Sequence, residues 1–265
     1  MRLLLGVLVL LTSFSVRAQP ELPLPGSIRE RVMVVWGGGR TREEAESFVE
    51  SYRERSVDWA RVVEAGPGYP RIIDGTDLPG LRPGYFFVAL GVCEAREGEA
   101  VAKVFQALEP RSYSRRVLWE EREALACPSL LPGWSFGKST QMRVAGGTLM
   151  ATTFQYEGEE GPREQRSWLM ILALLKKDDV ESSVIEPPED EAESEVKGLR
   201  LGRGEVLLEE VLTHPTCDTQ PRAEVYSRTW HFSVQRGAVV TKQVKKLLRK
   251  VDCAEGEGGA SAENG

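Results

Sequence analysis

The residues best suited to nucleophilic, acid–base or metal chemistry are two histidines, His214 and His231, and four cysteines, Cys93, Cys127, Cys217 and Cys253. His214-x-x-Cys217, with His231 and Cys253 downstream, has the ligand types of a zinc site, because imidazole nitrogen and thiolate sulfur both bind that ion. Cys217 beside a histidine would act as a nucleophile only as a free thiol. Ser135-Phe136-Gly137-Lys138 matches the Ser-x-x-Lys arrangement in which lysine activates serine in penicillin-recognising enzymes, yet their Ser-Asp-Asn and Lys-Thr-Gly elements do not occur. Gly37-Gly38-Gly39 ahead of a helix would either present backbone N–H groups to an anion or make a tight turn. It lacks the lysine of a P-loop, and Gly137-Lys138-Ser139 has Pro132 where the first glycine of that motif stands. No His-Glu-x-x-His helix is present, and His231, between Trp230 and Phe232 in a strand-like run, suits packing or surface better than catalysis. The expectation is a non-enzyme with no cofactor and no metal.

The segments around these residues begin with an export signal. Met1 to Ala18 opens with Arg2, continues through the apolar run from Leu3 to Leu11 and closes on Val16-Arg17-Ala18, the layout of a cleaved secretory signal peptide. That run is shorter than the roughly 20 residues of a membrane helix, and no later apolar run is longer than a strand, so no membrane span is expected after cleavage. Loss of Arg2 and Arg17 takes the net charge from −6 to −8. The expected location is periplasmic or secreted, in a bacterium. An even cysteine count in an exported chain favours two disulfides, which removes the thiolates a zinc site needs.

Composition sets further bounds. With 41% hydrophobic and 28% charged residues, the chain is too apolar for wholesale disorder. Its 265 residues suit two domains of roughly 100–150 residues each. A pI near 5.3 argues against the basic surface on which phosphate-backbone binding depends, so nucleic acid is not an expected partner.

After the Pro-rich entry from Pro20 to Gly26, Val32 to Trp36 reads as a strand broken by the triple glycine. Thr41-x-x-Glu44 is a capping box, and Ala45, Phe48, Val49 and Tyr52 share a helical face. A second strand falls near Arg61 to Ala65 or near Arg71 to Asp74, with turn residues between. Tyr85 to Val92 is the third strand, Glu97 to Leu108 an amphipathic helix with Val101, Val104, Phe105 and Leu108 inward, and Ser112 to Trp119 the fourth strand. From Gln141 the pattern turns to β: a hairpin around Gly146-Gly147, a strand from Ser167 to Lys176, then Glu205 to Thr213, Glu224 to Gln235 and Ala238 to Val251, the last turn at Arg236-Gly237. Lys242 to Lys250 also fits a helix, with Val244, Leu247 and Leu248 on one face. Residues 178–197 are acidic and read as a disordered loop, and 255–265 as a floppy tail.

The segment from about Arg31 to Trp119 resembles the SPOR (sporulation-related repeat) domain of bacterial cell-envelope proteins. The resemblance rests on Val34-Val35-Trp36-Gly37 and Val88-Ala89-Leu90-Gly91, on the Glu-Ala helix starts, and on Leu81-x-Pro83-Gly84-Tyr85. Val35 stands where such domains usually carry Gln. The resemblance implies binding of peptidoglycan glycan strands that lack stem peptides, through the sheet. The fold class expected is α+β: an N-terminal βαββαβ (ferredoxin-like or SPOR-like) domain at 31–120, then an antiparallel β domain at 139–254. A signal peptide (1–18), a linker (19–30) and a connector (121–138) complete the organisation.

By strand alternation Tyr85 and Phe87 face away from the helices, and with Trp36 and Arg115 they make the expected glycan-binding set on an open sheet face. The competing expectation is that the C-terminal β part packs over that face. A protein-interaction or scaffold role for the same fold, with an envelope protein as partner, is the alternative function. In the split topology the third and fourth strands end at one edge, which pairs Cys93 with Cys127, and the C-terminal meander pairs Cys217 with Cys253.

Overall fold

The computed structural model describes residues 28–121, 123–160, 163–177, 179–187, 193–214 and 222–252. The signal peptide, most of the linker, the tail, Cys217 and Cys253 lie outside the described residues, so the expected Cys217–Cys253 pair and the His214-x-x-Cys217 set do too. In chain order the first elements are β1 (Ile28–Gly39), α1 (Arg42–Ser56), β2 (Val63–Glu64), β3 (Arg71–Asp74), β4 (Phe86–Cys93), α2 (Ala95–Leu108), β5 (Tyr113–Glu120) and β6 (Ser129–Leu130). Then follow β7 (Trp134–Val144), β8 (Gly147–Glu160), β9 (Arg163–Leu175), β10 (Val180–Ile185), β11 (Glu193–Leu201), β12 (Glu205–His214), β13 (Arg222–Gln235) and β14 (Ala238–Asp252).

The first sheet has the antiparallel order β3-β4-β1-β5. Val34 and Trp36 of β1 and Val88 and Leu90 of β4 face the helices, where they meet Tyr52, Phe105 and Leu108. Met33 and Val35 face the other way. Both faces of β1 are thus buried, which is why its sequence is a continuous apolar run rather than an alternation. The capping box forms: Glu44 N–H donates to Thr41 Oγ1 at 3.2 Å and Thr41 N–H to Glu44 Oε2 at 3.4 Å.

The far side of the helix layer meets a second sheet, β10-β9-β8-β7, through Phe154, Leu169 and Ile171. Thr152 Oγ1 there donates to the Ala107 carbonyl at 2.7 Å. The other face of the second sheet, with Leu149, Trp168, Met170 and Leu172, packs on Val206, Leu208, Trp230 and Phe232 of a third sheet, β11-β12-β13-β14. Within that contact the buried Glu210 carboxylate accepts Trp168 Nε1–H at 2.9 Å and further hydrogen bonds from Trp230, Ser194 and Arg228. A buried carboxylate this well partnered fixes how the sheets register, since any slip would leave it unsatisfied.

The expected fold class is corrected. Among the described residues the protein is strand-dominated, with 60% strand against 14% helix, two helices and four antiparallel sheets. A βαββαβ unit does not describe the N-terminal part, because both candidate second strands form and β2 leaves the main sheet to pair with β6. Residues 178–197, expected as a disordered loop, carry β10 and the start of β11. The acidic side chains hide an alternation in which Ser194 and Val196 are buried while Glu195 and Lys197 are exposed. Lys242 to Lys250 is strand, paired along β13. The triple glycine does not break the first strand but ends it within β1. A Cβ on Gly37 would run into the Phe48 ring and one on Gly38 into the Phe86 carbonyl, so close packing, not anion binding, explains the run.

Candidate functional site

The face of the first sheet away from the helices is covered, but not by the C-terminal sheets, which lie beyond the helix layer. The connector between β3 and β4 crosses it and reaches the outer edge of β5, where Leu118 N–H donates to the Pro79 carbonyl at 2.9 Å. Leu81 of this strap is buried with Phe87, Ala89 and Val117, and Leu78 packs beside them. Gly80 has φ +100°, and a Cβ there would stand 2.7 Å from the Arg116 carbonyl, so the strap can lie against β5 only with glycine at this point. The strap begins in a turn: the Asp74 carboxylate accepts Thr76 N–H and Oγ1–H, each at 2.8 Å, which holds it below the ordinary Asp range.

Beyond β5 the chain doubles back. Because β1 sits between β4 and β5 and is antiparallel to both, β4 and β5 end at the same edge, and the return brings Cys127 to Cys93 in a disulfide with Cα atoms 4.6 Å apart. Val92 and Ala126 exchange backbone hydrogen bonds at 3.0 and 3.2 Å, fixing the returned segment beside β4.

Between the strap and this returned segment lies a groove of about 760 Å³. Its apolar surface comes from Tyr69, Ile73, Leu78, Leu118 and Trp119, and polar groups converge on it from Arg71, Asp74, Asp77 and Glu123. The Tyr69 and Trp119 side chains are half-buried in its lining. Trp119 Nε1–H donates to the Glu123 carbonyl at 3.2 Å, which holds the indole in place. The Arg71 guanidinium lies 5.6 Å from the Tyr69 ring centre; burial raises the Tyr69 phenol above its ordinary value, with Arg71 opposing.

The expected site residues are scattered by this geometry. Trp36 is 1% exposed on the helix side, 5.2 Å from the Tyr52 ring and 5.8 Å from Trp59, so its place on the open face is corrected. Strand alternation puts it with Val34, not with Val35. Phe87 does face away from the helices but is buried beneath the strap. Tyr85 is half-exposed just before β4; its hydroxyl accepts from Arg40 Nε at 3.2 Å, and Arg82 lies 4.6 Å from its ring centre. Arg115 is exposed and stacks on Tyr113 at 5.2 Å. None of these four lines the groove. Trp119 was legible from its alternation with Arg115 and Val117, whereas Tyr69, in a turn, carries no periodic signal.

The candidate catalytic residues are not assembled. Ser135 and Lys138 lie on β7 at a bulge in its pairing with β8, and no hydrogen bond joins their side chains among the described residues. The same serine stands in Gly133-Trp134-Ser135-Phe136-Gly137, the spacing of a nucleophile elbow. An elbow needs a sharp strand-to-helix turn, and here the serine lies in an antiparallel strand with its Oγ donating to the Gln155 carbonyl at 3.3 Å. His231 Nδ1 is 3.1 Å from Glu205 Oε2 on the third sheet, and the His214 side chain lies outside the described residues. Among the described residues no helix is long and apolar enough to cross a membrane. No family model, curated protein or solved structure matches the chain.

Proposed function

We propose that the protein is an exported, non-catalytic component of the bacterial cell envelope that binds peptidoglycan glycan strands in the groove beside the strap. The observation that carries this reading is the pair of half-buried rings, Tyr69 and Trp119, in a groove with convergent carboxylates and a guanidinium. Sugar rings present apolar C–H faces and polar rims. Aromatic faces match the first, while Asp74, Asp77, Glu123 and Arg71 match the hydroxyl and amide groups of the second. The Cys93–Cys127 disulfide and the Met1–Ala18 sequence support export, and the likeness of residues 31–119 to SPOR domains supports the ligand class. The test is a pull-down on purified sacculi before and after amidase stripping. Retention that rises when stem peptides are removed supports the reading, and no retention on either preparation refutes it.

A further inference from the structure

We infer that the free edge of β14 is a docking site for an acidic, extended peptide segment of another protein, which joins the third sheet beside β14. β14 is the last strand of that sheet, so one side of its backbone has no strand partner among the described residues. It runs for 15 residues, far beyond the length at which an edge is normally left open, and offers a row of peptide N–H and C=O groups about 50 Å long.

The side chains choose the partner. β14 carries Lys242, Lys245, Lys246, Arg249 and Lys250 against Asp252 alone, in a chain of net charge −6. Lys250 pairs with Glu224 at 2.8 Å and Lys245 lies over the Tyr226 ring at 4.4 Å, whereas Lys242, Lys246 and Arg249 have no carboxylate partner among the described residues. Val240, Val244, Leu247 and Leu248 of the same strand are 40–51% exposed. Strand alternation puts Val240, Lys242, Val244 and Lys246 on one face, so aliphatic and cationic positions alternate there.

Lysine alone would blunt an edge against aggregation, but a blunted edge gains nothing from exposed aliphatic residues on the same strand. A second copy of β14 would bring two strongly cationic strands together, which like-charge pairing disfavours. An extended segment alternating acidic and aliphatic residues meets both features and takes up the backbone hydrogen bonds.

The test uses the intact protein and fluorescence anisotropy with labelled peptides. The set comprises one alternating valine and glutamate, one of equal charge interrupted by proline, and one with lysine for glutamate. The valine–glutamate peptide is expected to bind the wild type, and the other two are not. The doubly substituted Lys242→Glu, Lys246→Glu protein is expected to bind it at least about tenfold more weakly, with an unchanged thermal melt. Equal binding of the proline peptide would overturn the proposal by reducing the site to charge alone, and that comparison needs no variant. No binding of the valine–glutamate peptide, or a wild type that pairs with itself through β14 in sedimentation, would also overturn it. So would tighter binding to vesicles containing anionic phospholipid than to the peptide.

Discussion

The backbone N–H of Leu118 donates to the carbonyl of Pro79 at 2.9 Å, and this bond ties the β3–β4 connector to the outer edge of β5 on the far side of the sheet. It engages one peptide group on the outer edge of β5 and places one wall of the groove. Gly80 is the residue on which that crossing depends, since its φ of +100° and the nearby Arg116 carbonyl both exclude a side chain. Gly80→Ala is expected to cost about 1–3 kcal/mol in denaturant unfolding and to weaken ligand binding at the groove.

Glu109, buried beside Arg55 at the end of α2, makes stability depend on acid pH. Burial raises its carboxyl, but hydrogen bonds from Arg111 and the charge of Arg55 more than offset this and hold it below its ordinary value of 4.5. Burial also pulls Arg55 down, yet a guanidinium stays charged throughout the range. With the folded value depressed, the contribution is complete above the ordinary value and is lost as pH falls below it. Unfolding free energy measured against pH should therefore fall on the acid side. Glu109→Gln should flatten that limb while costing about 3–5 kcal/mol at neutral pH, because Arg55 is left buried without its carboxylate.

The Cys93–Cys127 bond closes a loop with a sequence separation of 34 and pins the segment that forms one wall of the groove. Mass-spectrometric mapping without reduction should recover that linkage, and we propose Cys217–Cys253 as the second. Replacing Cys93 and Cys127 with serine should cost about 2–4 kcal/mol. A Cys127–Cys217 linkage would contradict the pairing.

Ser135→Ala and His214→Ala are expected to leave any copurifying hydrolytic activity unchanged, since Ser135 donates to a strand carbonyl rather than to a base. Loss of activity in either folded variant would reverse the non-catalytic assignment.

Local order was legible in the sequence where one physical rule decides it. The Thr41–Glu44 capping box, the inward face of α2 and the Arg236-Gly237 turn, both residues at positive φ, all follow from hydrogen-bond or steric rules acting within a few residues. What was not legible depends on contacts distant in sequence. Trp168 to Leu174 is apolar because β9 is covered on one face by the helices and on the other by the third sheet, and no periodicity reveals which layers do so. The acidic residues of β10 and β11 conceal strands whose buried positions are few. At the site, the side of the sheet on which Phe87 lies was readable from alternation, but the strap that buries it was not, because a loop's path depends on where it finds a partner such as Leu118.

Calorimetric titration of stem-peptide-free glycan oligomers into the wild-type protein and into Trp119→Ala and Tyr69→Ala addresses the groove directly. Binding is expected in the wild type with little dependence on salt, and each substitution should weaken it by about 0.5–1.5 kcal/mol or more, the worth of a lost ring contact. Binding that survives both substitutions in folded protein, or a wild type that gives no heat with any glycan, would contradict the assignment of the groove as a glycan site.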